Sequence, residues 1–289
     1  MDKIIKEKIA SLLANDEDIL SVEQLGGMTN QNYLVKTSAK QYIVKFFGKG
    51  TDKLINRQNE KFNLELLKDL KLDVENYLFD IEAGIKVNQY IENAETLDSA
   101  TIKTKFEKIA PILQTIHASG KELKGEFAPF EEIKKYESLI QGEIYYPNYE
   151  AVRKSVFSLK DQLEEIGIDK KSCHIDLVPE NFIEGPDGHL YLIDWEYSSM
   201  NDPMWDLAAL FLESEFTSAE EEEFLSLYES DKTPVSREKI RIYKILQDII
   251  WSLWTIYKEE NGADFGDYGI SRYNRAMNEL NYKGGTYEN

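Results

Sequence analysis

Residues 173–182 read CHIDLVPENF, and residues 190–196 read LYLIDWE. The first stretch sets His174, Asp176, Pro179 and Asn181 among residues that otherwise read as core. The second places Asp194 directly after an apolar, strand-like run. A carboxylate there is costly unless it is paired or metal-bound. Between them, Gly185-Pro186-Asp187-Gly188 has the composition of a turn. The segments NFIE and HLYLID on either side of it are therefore predicted to form a hairpin.

An Asp and an Asn five residues apart carry little information alone. Joined to a hairpin and an apolar-Asp-aromatic triplet, they describe the equipment of phosphoryl transfer to a hydroxyl. One carboxylate orients the hydroxyl and accepts its proton, and an Asn and a second carboxylate hold Mg²⁺ against nucleotide phosphates. Asp176, Asn181 and Asp194 fill those three places, and Mg²⁺ prefers oxygen donors such as the last two offer. A polar turn between helices would account for Pro179 and Asn181 but not for Asp194.

Working outward, the N-terminal part predicts a small antiparallel sheet. DILSVEQL, QNYLVKTS, QYIVKFFG, VENYLFDI and GIKVNQYI are short runs rich in β-branched and aromatic residues. Gly26-Gly27 and Ser38-Ala39-Lys40 fall at turns, Ile4 to Leu13 has helical spacing, and residues 56–70 form a further helix. Gly26-Gly27-Met28-Thr29-Asn30 suits a phosphate-covering turn, where glycines admit backbone amides and Thr29, Asn30 and Asn32 can donate. Gly-Gly is also an ordinary hairpin turn. Lys45, inside YIVKFF, either snorkels to solvent or is paired. Glu60 lies fifteen residues on, in the predicted helix.

Beyond Gln89 helical periodicity dominates, over Asp98–His117, Tyr149–Ile166, Met204–Phe216, Ala219–Tyr228 and Ser236–Glu259. Ser218 and Glu221 have the spacing of a capping box, which explains the acidic run 220–223. The fold class is therefore α+β and bilobal: a small antiparallel-sheet lobe over residues 1–88, and a larger helical lobe over 89–289 carrying the catalytic hairpin.

Bulk properties narrow the partners. The chain has 289 residues, 34 basic and 53 acidic side chains, and a net charge of −19. Such a surface repels nucleic acid and anionic membrane and attracts cations. The single cysteine, Cys173, rules out an internal disulfide and fits a reducing compartment. The longest apolar run, IIWSLWTIY, is about half a bilayer span. A cytoplasmic protein is expected, and its oligomeric state is not legible.

With GGMTNQNY, the VK strand and later RQNE, HIDLVPENF, and IDWEYSS followed by Asn201 in view, the chain resembles the choline/ethanolamine kinase family. That family lies within the wider aminoglycoside-phosphotransferase and protein-kinase-like superfamily. The resemblance spans roughly residues 20–280. It implies an ATP- and Mg²⁺-dependent kinase with a protein-kinase-like fold. Asp176 would be the base, Asn181 and Asp194 the Mg²⁺ ligands, Lys45 the phosphate holder and Glu60 its orienting partner. Backbone groups near Gln89–Ile91 would receive adenine. His174-Ile-Asp176 in place of His-Arg-Asp, and Trp195-Glu196 in place of Phe-Gly, argue against the protein-kinase activation switches.

Trp251-Ser-Leu-Trp254 puts two indoles on one helix face, a pattern that core packing also produces. EYSS, WSLW and DFGDYGISRYN resemble choline kinases specifically. By that resemblance Trp251, Trp254 and Tyr268 box a quaternary ammonium, with Tyr197 and Glu213 close by. Trp205 and Tyr257 are either further walls or core. A trimethylammonium group donates no N–H bonds and is bound by ring faces. The implied reaction is phosphorylation of choline to phosphocholine. Ethanolamine, another amino-alcohol or an aminoglycoside are alternative acceptors, and a non-catalytic ATP or choline binder is the alternative outside enzymes. His117 is expected to pack between lobes, His189 to lie at a surface turn and Cys173 to be buried.

Overall fold

The computed structural model describes Ile5, Glu7, Ile9 and residues 17–26, 30–48 and 50–282. Contacts divide the chain into two compact units. One joins Met1–Ile112 to Pro179–Ser198, and the other joins Leu113–Val178 to Ser199–Asn289.

In the first unit, the five expected strands form one antiparallel sheet. They are β1 (Ile19–Gln24), β2 (Gln31–Thr37), β3 (Gln41–Phe46), β4 (Asn76–Asp80) and β5 (Ile85–Gln89), in spatial order β1-β2-β3-β5-β4. Period-two alternation sends Tyr33, Val35, Tyr42, Val44, Ile85 and Val87 to one face, where they pack with Ile5 and Ile9. Those two isoleucines are four apart and helical, as their spacing requires. Glu7 between them is helical as well, and the other residues of the helix expected over residues 4–13 lie outside the described residues. The register sets Lys45 opposite Lys86, so these two lysines share the other face.

Helix α1 (Arg57–Leu67) begins at Asn56, whose side chain accepts from the amides of Gln58 and Asn59, both at 3.1 Å. Its buried residues, Arg57, Glu60, Asn63 and Leu67, recur at helical spacing, yet three of the four are polar. A helix that buries charge must be matched by charge on what it packs against.

The short strands β8 (Phe182–Glu184) and β9 (Leu190–Leu192) form the expected hairpin. Its Gly188 takes φ 78, a left-handed conformation that glycine adopts without steric cost. β6 (Glu95–Thr96), which the sequence did not suggest, pairs with β8. The Leu192 amide also donates to the Leu72 carbonyl at 2.8 Å. These bonds tie the hairpin to the segments around Thr96 and Leu72.

The second unit is mainly helical. It contains α3 (Pro129–Leu139), α4 (Tyr149–Ile166), α5 (Pro203–Glu213), α6 (Ser218–Tyr228), α7 (Arg237–Glu260) and α8 (Tyr268–Tyr282). The preceding helix, α2 (Phe106–His117), crosses the division between the units. β7 (Lys171–Cys173) pairs with β10 (Ser199–Asn201). α7 is buried on nearly every side from Ile240 to Tyr257 and packs on α3, α5 and α8.

The cap of α6 falls one residue earlier than expected. Thr217 accepts from the Glu220 amide, and the Glu220 carboxylate takes the Thr217 amide at 2.7 Å. Ser218 is already helical, so the reciprocal pair belongs to Thr217. Among the described residues, no helix is long and apolar enough to cross a membrane.

Candidate active site

On the lysine-bearing face of the sheet, Lys45 Nζ lies 2.6 Å from Asp194 Oδ1. Lys45 is thus paired rather than snorkelling. Asp194 has φ 68, a left-handed backbone that Asp tolerates better than most residues and that costs conformational energy. The Ile193 amide donates to the Asn181 carbonyl at 2.8 Å, tying the segments that bear the two Mg²⁺ candidates. Both offer side-chain oxygen donors, and the Asp194 carboxylate already engages one cation, the Lys45 ammonium. This donor set fits a divalent metal that takes oxygen ligands.

Glu60 does not orient Lys45. Its carboxylate takes Lys86 Nζ and Arg57 Nη1, each at 2.6 Å. Burial alone would raise the Glu60 carboxyl, but Lys86 and Arg57 outweigh it and hold the group below the usual carboxylate range. Burial likewise works to lower the Lys86 ammonium, and Glu60 and Asp194 reverse this. The physical reason for the exchange is the register: two lysines on one face divide two acids between them.

Arg57 also reaches Glu196 Oε2 at 2.8 Å. Burial and the Asp194 charge push the Glu196 carboxyl up, against the pull of Lys45 and Arg57. A further acid, Asp73, was not anticipated. Burial raises its carboxyl to about 7, with Lys86, Asp194 and Lys45 acting on it.

The phosphate-covering turn is described only in part: Gly27, Met28 and Thr29 lie outside the described residues. At Gly26 a β-carbon would meet nothing within 4 Å, so the turn is open there. Asn30 and Asn32, expected to donate to phosphate, each donate one bond within the protein. Asn30 Nδ2 donates to Glu196 Oε2 at 2.8 Å and its Oδ1 accepts from Arg57 Nη2 at 3.0 Å. Asn32 Nδ2 donates to the Gly26 carbonyl at 3.0 Å. At the expected adenine segment, the Gln89 amide donates to the Glu75 carbonyl at 2.8 Å, and the Ile91 carbonyl accepts from the Ala94 amide at 3.3 Å.

In the helical unit, Asp176 follows a clamped backbone. The amides of His174 and Ile175 each donate to Asp206 at 2.8 Å, one to each carboxylate oxygen. Ile175 has φ 78, which is strained for a β-branched residue and persists only because its neighbours hold it. One of those neighbours is Trp205, whose indole N–H donates to the Ile175 carbonyl at 3.0 Å.

Trp205 is therefore no substrate wall. It is fully buried, with its ring against Phe127 and Tyr243. His117 bonds Asp206 and Tyr228 within the helical unit. His117, Cys173 and Asp206 bring ligand atoms within 4.8 Å of one another. The Asp206 oxygens there already accept two backbone amides. Cys173 is buried and His189 exposed, as expected.

Two aromatic residues of α7 pack together, and Phe265 stands between them and Tyr268 of α8. The rings of Trp251 and Trp254 are perpendicular, with centroids 6.5 Å apart. Phe265, not singled out from the sequence, lies 4.9 Å from Trp254 and 6.4 Å from Tyr268. Trp254 already takes one cation, since Lys258 Nζ lies 5.7 Å from its ring centroid.

Burial raises the Tyr268 hydroxyl. Arg272 opposes this, while Glu213 and Asp176 add to it. Burial raises the Tyr136 hydroxyl too, with Glu132, Tyr257 and Asp176 contributing. Asp176 thus acts electrostatically on two hydroxyls of the aromatic region, and Tyr257, itself nearly buried, belongs to the same neighbourhood. Glu213 is engaged by Arg272 Nη2 at 2.6 Å. Tyr197 belongs to the sheet-bearing unit.

Known proteins resemble this chain over most of its length. Residues 22–239 match the profile of the family described as Choline/ethanolamine kinase. The crystal structure of choline kinase LicA from Streptococcus pneumoniae superposes with a TM-score of 0.94 at 78% identity, covering 98% of this chain and 99% of that one. A structure of LicA in complex with AMP gives a TM-score of 0.92 at 78% identity, over 97% and 98% of the two chains. Protein LicA of Haemophilus influenzae is 32% identical over 268 residues, 89% of this chain and 78% of that protein. The chain belongs to the choline/ethanolamine kinase family and has its kinase-like α+β fold.

Proposed function

We propose that the chain is a choline kinase, transferring the γ-phosphoryl group of ATP to the hydroxyl of choline to give phosphocholine and ADP. The observation that carries this reading is the 78% identity, over nearly the whole of both chains, to a structure described as a choline kinase. The Lys45–Asp194 pair, the clamped loop before Asp176 and the Trp251–Trp254–Phe265–Tyr268 cluster supply the chemistry it requires.

In this reading residues 1–88 carry the nucleotide. The Gly26–Asn30 turn and Asn32 cover its phosphates, backbone groups near Gln89 and Ile91 receive adenine, and Lys45 binds phosphate. Residues 89–289 carry the catalytic groups and the alcohol. Asn181 and Asp194 hold Mg²⁺, which when bound neutralises phosphate charge. Asp176 accepts the hydroxyl proton as the choline oxygen bonds to the γ-phosphorus and the bond from phosphorus to the β–γ bridging oxygen breaks. The electron pair leaves with ADP. Trp251, Trp254 and Tyr268, together with Tyr257, bind the trimethylammonium through ring faces. A cytoplasmic site of action accords with the need for ATP.

A second reading, ethanolamine phosphorylation, has one observation in its favour: the Glu213 carboxylate lies near Tyr268 and could accept from a primary ammonium. Steady-state rates with ATP, Mg²⁺ and each alcohol separate the two. Preferential turnover of choline supports the first reading, and preferential turnover of ethanolamine contradicts it.

A further inference from the structure

Arg272 lies four residues after Tyr268 on α8 and is buried. Its guanidinium makes three contacts at once. Nη2 donates to Glu213 Oε1 at 2.6 Å, Nη1 donates to Tyr268 Oη at 2.7 Å, and Nε lies 3.2 Å from Asp248 Oδ1. Its central carbon stands 5.1 Å from the Tyr268 ring centroid. One side chain therefore grips a proposed wall of the cation box and the carboxylate beside it.

Simple charge burial does not account for this arrangement. Asp248, the deeply buried acid of the group, is already held by both donor arms of Arg275, at 2.7 and 2.6 Å. Glu213 keeps 18% of its side chain exposed, so water could solvate part of its charge without an arginine. Together Glu213, Asp248, Arg272 and Arg275 sum to zero charge. Asp176 adds a further negative charge that acts on the Tyr268 hydroxyl.

The two candidate substrates differ in what such a region offers them. A primary ammonium brings three N–H donors that need acceptors once they leave water. A quaternary ammonium brings none and is content with ring faces. A carboxylate engaged by a guanidinium is a poorer acceptor for a second cation, and the guanidinium's own charge opposes the newcomer.

Resting on the choline reading, we infer that Arg272 is a specificity-determining residue. By holding Glu213 and Tyr268 together, it withholds the carboxylate from primary ammonium groups and biases the site toward quaternary amino-alcohols. The bias works by making the competing substrate worse, as specificity often requires.

The test is kcat/KM for choline and for ethanolamine, at saturating ATP and Mg²⁺, in wild type, Arg272→Met, Glu213→Gln and the double variant, with thermal melts alongside. Arg272→Met should move the choline-to-ethanolamine ratio toward ethanolamine by roughly tenfold or more, the scale of one charge-assisted hydrogen bond. Adding Glu213→Gln should reverse most of that shift, and ATP KM should stay put.

Glu213→Gln alone should lower both alcohols in parallel, and this arm decides the matter if Arg272→Met fails to fold. An unchanged ratio in folded Arg272→Met, or a selective loss of ethanolamine in Glu213→Gln, overturns the inference. A wild-type protein that phosphorylates neither alcohol overturns the choline reading and this inference with it. A wild type that prefers choline, with a ratio indifferent to Arg272, overturns the inference alone.

Discussion

Lys45 and Asp194 are 149 residues apart in sequence, yet their charged atoms stand 2.6 Å apart, with the lysine side chain 7% exposed. In the proposed reading this pair sets the cation that binds phosphate beside the carboxylate that binds metal. Lys45→Met should therefore lower kcat on the order of 10²-fold, the cost typical of losing one preorganised donor to developing charge. Steady-state kinetics with varied ATP would show it. Retention of more than half the wild-type kcat would remove Lys45 from the site.

Lys86 makes a second, separable prediction. Lys86→Met leaves the buried Glu60 with Arg57 alone, and breaking such a pair costs about 3 kcal/mol. The loss should depend on pH. Glu60 is held below its ordinary value, so its contribution is fully present above an unfolded pKa of about 4.3 and fades as pH falls through the lower folded value. Urea melts of wild type and variant should differ more at pH 7 than near pH 4. A gap that widens toward acid would reverse the assigned sign.

Asp206→Ala should destabilise the protein and slow it together. The substitution strips two buried backbone amides of their acceptor and releases the strained Ile175 peptide just before Asp176. Each orphaned amide costs about 1–3 kcal/mol. Chemical denaturation would report the stability loss and kcat the displaced base. A variant as stable as wild type would show that the clamp contributes nothing.

Trp254→Ala tests the box. Choline KM should rise roughly tenfold or more with ATP KM nearly constant, since a desolvated cation–π contact is worth about 2 kcal/mol. Trp205→Phe should behave differently: it deletes the bond to the Ile175 carbonyl and should act on kcat and stability rather than on choline KM. If both KM values rise together in Trp254→Ala, the indole is core.

The residues easiest to find from sequence were those whose local chemistry was expensive. Asp194 after an apolar strand and Lys45 inside one each demanded a partner, and each is the other's. The same logic would have found Asp206, an acid within PMWDLAALFL, and Lys86, a lysine within IKVNQ, had it been applied there. It could not say which lysine Glu60 would take, because that follows from strand register.

α3 and α8 were not anticipated. PFEEIKKYESL buries Ile133 and Tyr136, and YGISRYNRAMNELNY buries Tyr273 and Ala276, so an apolar face at helical spacing was present in both segments and was missed. Trp205 and Trp254 are the same residue type on apolar helices, and only the packing directions separate an anchor from a wall. Arg272 has no sequence signal at all, since its partners Glu213 and Asp248 come from two other helices.

The central claim is that Asp176 takes the proton from the choline hydroxyl during transfer from ATP. The most direct measurement follows phosphocholine formation by phosphorus NMR, with ATP, Mg²⁺ and choline, for wild type and Asp176→Ala, alongside nucleotide binding by calorimetry. The account predicts rapid phosphocholine production by the wild type and a rate lower by roughly 10²–10⁴ in the variant, with nucleotide still bound. Near-normal turnover by Asp176→Ala, or no phosphocholine from the wild type, would contradict it.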